Sequence, residues 1–116
     1  MMIHIYGIKN CSTVQKALNW FDEHKLTYEF HDFKKVVVSE EKLASWAKQV
    51  GWEALVNKKG TTWRTVDPTT QQSVVDASTA FPLLIEKTSL IKRPVIEQGD
   101  TVLLGFDESR YQELFQ

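Results

Sequence analysis

The amino-acid sequence predicts an α/β domain, and three features of the chain support this fold class. Residues 3–33 have the pattern of strand, helix, strand, the βαβ unit that pairs two parallel strands. Residues from about 34 to 90 are mainly helical in pattern, and residues 95–115 have that of a β-hairpin followed by a helix. A chain of 116 residues, 42% hydrophobic and 25% charged, can bury one ordinary globular core.

The opening unit begins with a short strand over residues 3–6, where isoleucines alternate with His4 and Tyr6. A helix follows a loop, because apolar residues recur at i, i+3, i+4 and i+7: Val14, Ala17, Leu18 and Phe21. A second strand is expected over residues 27–33, where aromatic and polar residues alternate. Cys11 and Ser12 are therefore predicted at the N-terminal edge of the first helix.

The middle of the chain is predicted to be a helical insertion. Ser39 has the position of an N-cap, and Gly51 is suited to end the helix, whose buried face is expected to hold Leu43, Ala47 and Val50. Residues 52–56 favour a short helix, residues 58–62 a loop, and residues 76–78 the start of a further helix.

Strands return at residues 95–97 and 101–104, and Asp107 is expected to cap a last helix. The order βαβ, helices, ββα is the thioredoxin plan with a central insertion. The prediction is a thioredoxin-like three-layer sandwich with a mixed, mainly four-stranded sheet. No linker interrupts residues 1–116, so a single domain with an insertion over about 34–90 is expected.

Charge and cysteine content exclude several classes of function. The formal net charge is −1 at pH 7, which gives no general attraction to nucleic acid or to an anionic membrane. The N-terminus lacks the apolar stretch of a signal peptide, and no run of residues is apolar enough to span a bilayer. One cysteine cannot form an intrachain disulfide, so a reducing cytoplasm is the expected compartment.

Cys11 is the candidate catalytic residue. A helix N-terminus favours a thiolate, because unpaired backbone N–H groups and the helix dipole stabilise an anion. Lys9, Asn10, Ser12 and Thr13 flank it and are candidate binding residues, Lys9 through its charge and the last two through hydroxyl and N–H groups. The alternative is a buried, inert cysteine, which is the commoner fate of the residue type.

The position that would complete a Cys-x-x-Cys pair is occupied by Val14. A redox cycle at Cys11 would therefore pass through a mixed disulfide that an external thiol, such as glutathione or a partner protein, resolves.

Two arginines are candidates for binding an anionic group. Arg93 precedes Pro94, where a cis peptide would leave neighbouring backbone free to pair with a substrate. Arg64 follows Gly60 and two threonines, with Lys58 adding positive charge nearby. For both, an ordinary solvated arginine in a loop is an equally valid interpretation.

No metal site is predicted. His4, His24 and His31 show no metal-ligand spacing, and a structural or exposed role is expected for each. No phosphate-binding glycine loop and no Ser-His-Asp set is evident, and no tightly bound cofactor is expected.

Three motifs resemble the ArsC/Spx family, closest to its YffB-like branch. They are Tyr6-Gly7-Ile8-Lys9-Asn10-Cys11-Ser12-Thr13-Val14, Asn57-Lys58-Lys59-Gly60-Thr61-Thr62-Trp63-Arg64 and Leu90-Ile91-Lys92-Arg93-Pro94-Val95. The motifs occur in the family's order over essentially the whole chain, which makes their combination far more specific than any one of them.

The resemblance implies two different functions. In glutathione-coupled arsenate reductases of this family a cysteine, matched by Cys11, attacks arsenate with the help of three arginines. Arg93 matches one of them, the second falls on Asn57, and the third falls near Gly105. The Spx branch implies a non-enzymatic regulator that binds RNA polymerase and senses oxidation through a Cys-x-x-Cys pair, which Val14 removes here.

The sequence therefore predicts a glutathione-dependent monothiol reductase that acts through a Cys11 thiolate, with arsenate not its main substrate. Arg93, and in part Arg64, would hold an anionic group. The alternative is a redox-independent protein-interaction module that binds RNA polymerase.

Overall fold

The fold was analysed in a computed structural model, which describes residues 1–116. In chain order the elements are β1 (Ile3–Gly7), α1 (Ser12–Glu23), β2 (Tyr28–Asp32), α2 (Glu40–Val50), α3 (Trp52–Leu55), α4 (Thr61–Thr65), α5 (Pro68–Ser73), α6 (Ala77–Glu86), a 3₁₀ turn (Thr88–Leu90), β3 (Val95–Gln98), β4 (Thr101–Leu104) and α7 (Glu108–Phe115).

The chain forms two compact units. The sheet unit contains Met1–Asp32 and Arg93–Gln116, and the helical unit contains Phe33–Lys92. The prediction of a single domain stays a prediction. No helix in the chain combines the length and the apolar character that crossing a bilayer requires.

The sheet unit is built on a mixed four-stranded sheet in the order β2-β1-β3-β4. β1 pairs in parallel with β2, with Ile5 opposite Phe30, and antiparallel with β3, with Ile5 opposite Ile96. The hairpin of β3 and β4 is antiparallel, and Gly99 supplies the positive φ of 59° that its two-residue turn requires. The predicted fold class, strand directions and hairpin are confirmed.

One face of the sheet carries the core of this unit. Ile3 and Ile5 of β1, together with Ile96 of β3, pack against the apolar stripe of α1 and against Tyr111 of α7. The predicted residues Val14, Ala17 and Phe21 are buried, as is Trp20, whereas Leu18 is only partly buried. Since side chains alternate between the faces of a strand, the residues between these isoleucines project to the opposite face.

The helical unit departs from the prediction in three places. The Ser39 hydroxyl accepts a hydrogen bond from the Lys42 N–H at 3.0 Å, as expected of an N-cap, but the buried residues of α2 are Leu43 and Trp46. α4 begins at Thr61, inside the predicted loop. α5 was not predicted, because its sequence is polar and its helical signal is the Asp67 cap followed by Pro68.

A buried hydrogen bond connects α7 to the segment after β4. The Tyr111 hydroxyl is buried and donates to the carbonyl of Gly105 at 2.5 Å. Burial, with the charge of Asp107 as a second cause, raises the pKa of Tyr111, so this O–H group keeps its proton at any ordinary pH.

We expect Tyr111→Phe to lower the free energy of unfolding by about 1–2 kcal/mol, because the Gly105 carbonyl would lose its buried donor. Urea denaturation followed by circular dichroism gives this value. Tyr28→Phe is the matched control, since the Tyr28 hydroxyl donates to Asp22 at 2.9 Å in an exposed setting, and it should cost less. Equal losses in the two variants would contradict the assignment.

Candidate active site

Cys11 is positioned by a close contact between β1 and α1. Gly7, the last residue of β1, packs so tightly on Val14 that a Cβ atom at Gly7 would lie 2.8 Å from Val14 Cγ2. Only a residue without a side chain allows this approach. The loop 8–11 is therefore short and compact, and Cys11 follows directly from the end of the central strand.

Cys11 is the N-cap of α1. Its backbone is extended (φ −96°, ψ 126°), its carbonyl accepts the first helical hydrogen bond from the Gln15 N–H at 3.0 Å, and its own N–H donates to the Ile8 carbonyl at 3.2 Å. The Gln15 side chain donates to the Lys9 carbonyl and so ties the loop to the helix. These contacts confirm the predicted place of Cys11 at the helix start, as a free, partly buried thiol.

The surroundings of Cys11 favour its thiolate. Partial burial acts to raise the pKa of the thiol, but interactions with the Val14 N–H, the Arg93 side chain and the Thr13 N–H outweigh it, together with the positive charge of Arg93. The net result is a pKa below the ordinary value. The sulfur makes no cap hydrogen bond of ordinary geometry, so the two N–H groups act mainly as dipoles that point toward an anion.

Arg93 reaches Cys11 because it directly precedes β3, the antiparallel neighbour of β1. The Arg93–Pro94 peptide bond is cis. The Pro94 carbonyl accepts a hydrogen bond from the Gly105 N–H at 2.9 Å, and Gly105 in turn binds Tyr111. The backbone that carries Arg93 is thus fixed from both sides, by the sheet and by the segment that α7 holds.

The other predicted residues around Cys11 contribute unequally to the environment of the thiol. Thr13 contributes its N–H group to the site. The positive charge that acts on the thiol is that of Arg93, whereas Lys9 is exposed and is held through its backbone carbonyl. Asn10 in the loop and Ser12 at the first position of α1 are exposed.

Arg64 belongs to the helical unit, where it is exposed in the last turn of α4. Its neighbourhood is basic: Lys58 Nζ lies 5.6 Å from the centre of the Trp63 ring, a cation–π contact. Asn57, Lys58, Lys59 and Lys92 are among the residues lining a cavity of about 220 Å³. The structure thus adds Lys92 to the basic surface that the sequence indicated.

Asn57, which matches one family arginine, and Gly105, which lies near the match of another, have structural roles here. Asn57 donates its backbone N–H to the Leu90 carbonyl at 2.7 Å, and its side chain accepts from the Lys59 N–H at 3.3 Å. Gly105 is buried with a φ of 77°. Neither position supplies a positive charge.

Sequence reasoning missed one group of polar side chains in the sheet unit. His4 of β1 and Glu29 and His31 of β2 bring three potential metal ligands together, with ligand atoms within 4.8 Å of one another. The two histidines are far apart in the chain, so no spacing rule finds them. The usable signal was the parallel pairing itself, which places alternate residues of two neighbouring strands on one face.

The fold and the site define a thioredoxin-like protein with a single partly exposed cysteine at a helix N-terminus. The model of the ArsC family matches residues 6–114, and the chain belongs to this family. A relative from Haemophilus influenzae, an uncharacterized protein, is 44% identical over 114 residues, which cover 98% of this chain and 99% of the relative.

Two solved structures are similar over nearly the whole chain. The YFFB (PA3664) protein has a TM-score of 0.94 at 39% identity and covers 99% of this chain and 100% of its own. An arsenate reductase (ArsC) related protein from Brucella melitensis has a TM-score of 0.76 at 40% identity, covering 100% and 96%. A more distant relative, the global transcriptional regulator Spx of Streptococcus agalactiae, is 22% identical over 92% of this chain and 78% of the regulator.

We expect the Cys11 thiol to titrate below the value of about 8.5 for a free cysteine, and Arg93→Met to raise its pKa. Thiolate absorbance and the pH dependence of alkylation by iodoacetamide both measure this. Arg110→Met is the matched control, because Arg110 lies 3.4 Å from Glu113 on the surface of α7. An unchanged pKa in Arg93→Met would contradict the proposed electrostatic role.

The same shift predicts a pH-dependent stability. The folded protein favours the thiolate, so this stabilisation is complete above the unfolded-chain pKa of about 8.5 and is lost as pH falls through the lower pKa of the folded state. The difference in unfolding free energy between wild type and Cys11→Ser should therefore increase with pH across that window.

Gly7→Ala should destabilise the protein by about 1–3 kcal/mol, because Val14 is β-branched and cannot easily turn away from the added methyl group. A double-mutant cycle with Val14→Ala checks this, with the unfolding free energy of each variant measured by denaturant titration. Val14→Ala removes the methyl groups that would clash, so Gly7→Ala should cost clearly less in the Val14→Ala background. A simple sum of the two single effects would show that the contact does not position the helix.

Proposed function

We propose that this protein is a glutathione-dependent monothiol reductase in which Cys11 is the nucleophile. One observation carries the proposal: the only cysteine of the chain lies at the N-terminus of α1, where Arg93 and two backbone N–H groups lower its pKa. The thiolate is the form that attacks a disulfide, and a lowered pKa increases the thiolate fraction at a given pH. Membership of the ArsC family supports thiol-based reduction as the class of chemistry.

The reaction has two exchange steps. The Cys11 thiolate attacks one sulfur of a disulfide substrate, a new S–S bond forms to Cys11, and the other substrate sulfur leaves as a thiolate. Glutathione thiolate then attacks the mixed disulfide, and Cys11 leaves as a thiolate again. For a substrate that is a mixed disulfide with glutathione, Cys11 takes the glutathione sulfur and the substrate sulfur leaves as a thiolate. The net reaction then converts the mixed disulfide and one glutathione thiol to the free substrate thiol and oxidised glutathione. No second cysteine of this chain can replace the external thiol.

Arg93 would act in both steps, because Cys11 is an anion before the attack and again when it leaves. A nearby guanidinium stabilises this anion and lowers the barrier to its departure. Arg93 is also the proposed contact for a carboxylate of glutathione. The exposed Asn10 and Ser12, with Lys9, would line the approach to the sulfur.

Arsenate is not the substrate we favour. Of the three arginines that the family resemblance associates with arsenate, only Arg93 has a counterpart here, and Asn57 and Gly105 stand at or near the other two positions. In a site that lacks two of these permanent positive charges, an oxyanion would bind and react far less well.

The alternative is a protein-interaction module that binds RNA polymerase. The similarity to the regulator Spx over most of the chain favours it. The two proposals differ in one respect that can be measured, because binding through a surface does not need the Cys11 sulfur.

The proposal predicts thiol-dependent turnover of the mixed disulfide of glutathione and 2-mercaptoethanol, and a glutathione adduct on Cys11 detectable by mass spectrometry. Cys11→Ser should abolish both. In an assay below the pKa of the wild-type thiol, Arg93→Met should slow the attack by about 3-fold for each unit by which the thiol pKa rises, since lost thiolate is partly offset by higher intrinsic nucleophilicity. Arg110→Met should turn over like the wild type.

Absence of both turnover and adduct in the wild type would overturn the reductase proposal. RNA polymerase that co-purifies equally with wild type and Cys11→Ser would then support the interaction module. Rapid glutathione-dependent reduction of arsenate would contradict the expectation that the missing arginines matter.

A further inference from the structure

Three side chains with metal-binding chemistry meet on the face of the sheet opposite the core. His4 of β1 lies directly across from Glu29 of β2 in the parallel register, and His31 lies two residues further along β2. Since Ile3 and Ile5 project into the core, His4 projects to the other face. The same alternation along β2 places Glu29 and His31 beside it.

The ligand atoms of this group are close together. His4 Nδ1 lies 2.9 Å from His31 Nε2. The carboxylate of Glu29 is equally distant from both rings, with Oε2 3.9 Å from His4 Nδ1 and Oε1 3.9 Å from His31 Nε2. All three ligand atoms fall within 4.8 Å of one another, so small side-chain movements would bring them to the separations found within one coordination sphere.

The group is accessible but not freely mobile. The side chains of His4 and His31 are 31% and 21% exposed, and that of Glu29 is 59% exposed. Both histidines stand on paired strands, and the Tyr6 ring stacks on the His31 ring with centres 4.4 Å apart and planes 14° from parallel. Two imidazoles are thus held in place, and an exposed carboxylate can adjust to them by changing its rotamer.

We propose that His4, Glu29 and His31 bind a Zn²⁺ ion. Imidazole nitrogen and carboxylate oxygen are ordinary zinc ligands, and two histidines with one glutamate is a donor set that leaves a fourth tetrahedral position for water. With Zn–N distances of about 2.0–2.1 Å, tetrahedral geometry separates two ligand nitrogens by about 3.3 Å. The rings therefore need to move apart by only a few tenths of an ångström.

The competing explanation is a hydrogen bond between the two imidazoles, with one ring N–H donating to the other ring's nitrogen. A distance of 2.9 Å suits such a bond. The two explanations predict different behaviour toward zinc. A hydrogen-bonded pair has no requirement for Glu29, whereas a three-ligand site loses affinity when any one of its ligands is removed.

The experiment is isothermal titration calorimetry of Zn²⁺ into the full chain carrying Cys11→Ser and no polyhistidine tag, so that neither the thiol nor a tag binds the metal. His4→Gln, His31→Gln and Glu29→Gln are made in this background. His24→Gln is the matched control, since His24 is an imidazole that bonds to the Trp20 carbonyl at 2.8 Å and lies outside the group. Circular dichroism in the presence of a chelator establishes that each variant is folded.

We expect one Zn²⁺ per chain, unchanged affinity in His24→Gln, and an affinity at least about 10-fold lower in each histidine variant, since even the loss of a group outside the coordination sphere costs this much. Glu29→Gln should also weaken binding, because an amide is a poorer zinc ligand. Since Glu29 is exposed, its variant tests the site even if a histidine variant fails to fold. No saturable binding, or equal affinity in His24→Gln and the three ligand variants, would overturn the proposal.

Discussion

The place of β1 at the centre of the sheet is the constraint on which the other features of the sheet unit depend. β1 has hydrogen-bonded neighbours on both sides, β2 in parallel and β3 antiparallel. The loop that leaves its carboxyl end carries Cys11, and the segment that enters β3 carries Arg93. Two residues that are far apart in the chain therefore meet because each adjoins one of two paired strands.

The pKa of Cys11 follows from this arrangement, because the strands and the helix start bring together the groups that act on the thiol. The helix start provides N–H dipoles, the neighbouring strand provides one permanent charge, and partial burial opposes both. The balance favours the thiolate because the guanidinium adds its charge to the dipoles at short range. On the face of the sheet opposite the core, the pairing of β1 with β2 brings two imidazoles together. The pairing of β1 with its two neighbours thus brings together both the Cys11–Arg93 pair and the two histidines.

Much of the sheet unit could be predicted from the sequence, because its signals are local and consistent with one another. Alternating residues predicted the strands, the apolar stripe predicted α1, and the polar loop before that stripe placed Cys11 at the N-terminal edge of the helix. The failures have a different origin. α5 has no apolar stripe, so only its cap and proline indicate a helix. The interaction of Arg93 with Cys11 and the meeting of His4 with His31 depend on pairing between distant segments, which single-sequence patterns do not encode.

The backbone conformation of Gly105 restricts which residues can replace it. It is buried, it has a φ of 77°, and both its N–H and its carbonyl are engaged, by Pro94 and Tyr111. A side chain at such a position carries a penalty of about 1–2 kcal/mol from the left-handed conformation alone. An arginine introduced there would need a change in the surrounding backbone as well. Binding of an oxyanion by an arginine at Gly105 itself would therefore require a rearranged backbone in addition to the new side chain.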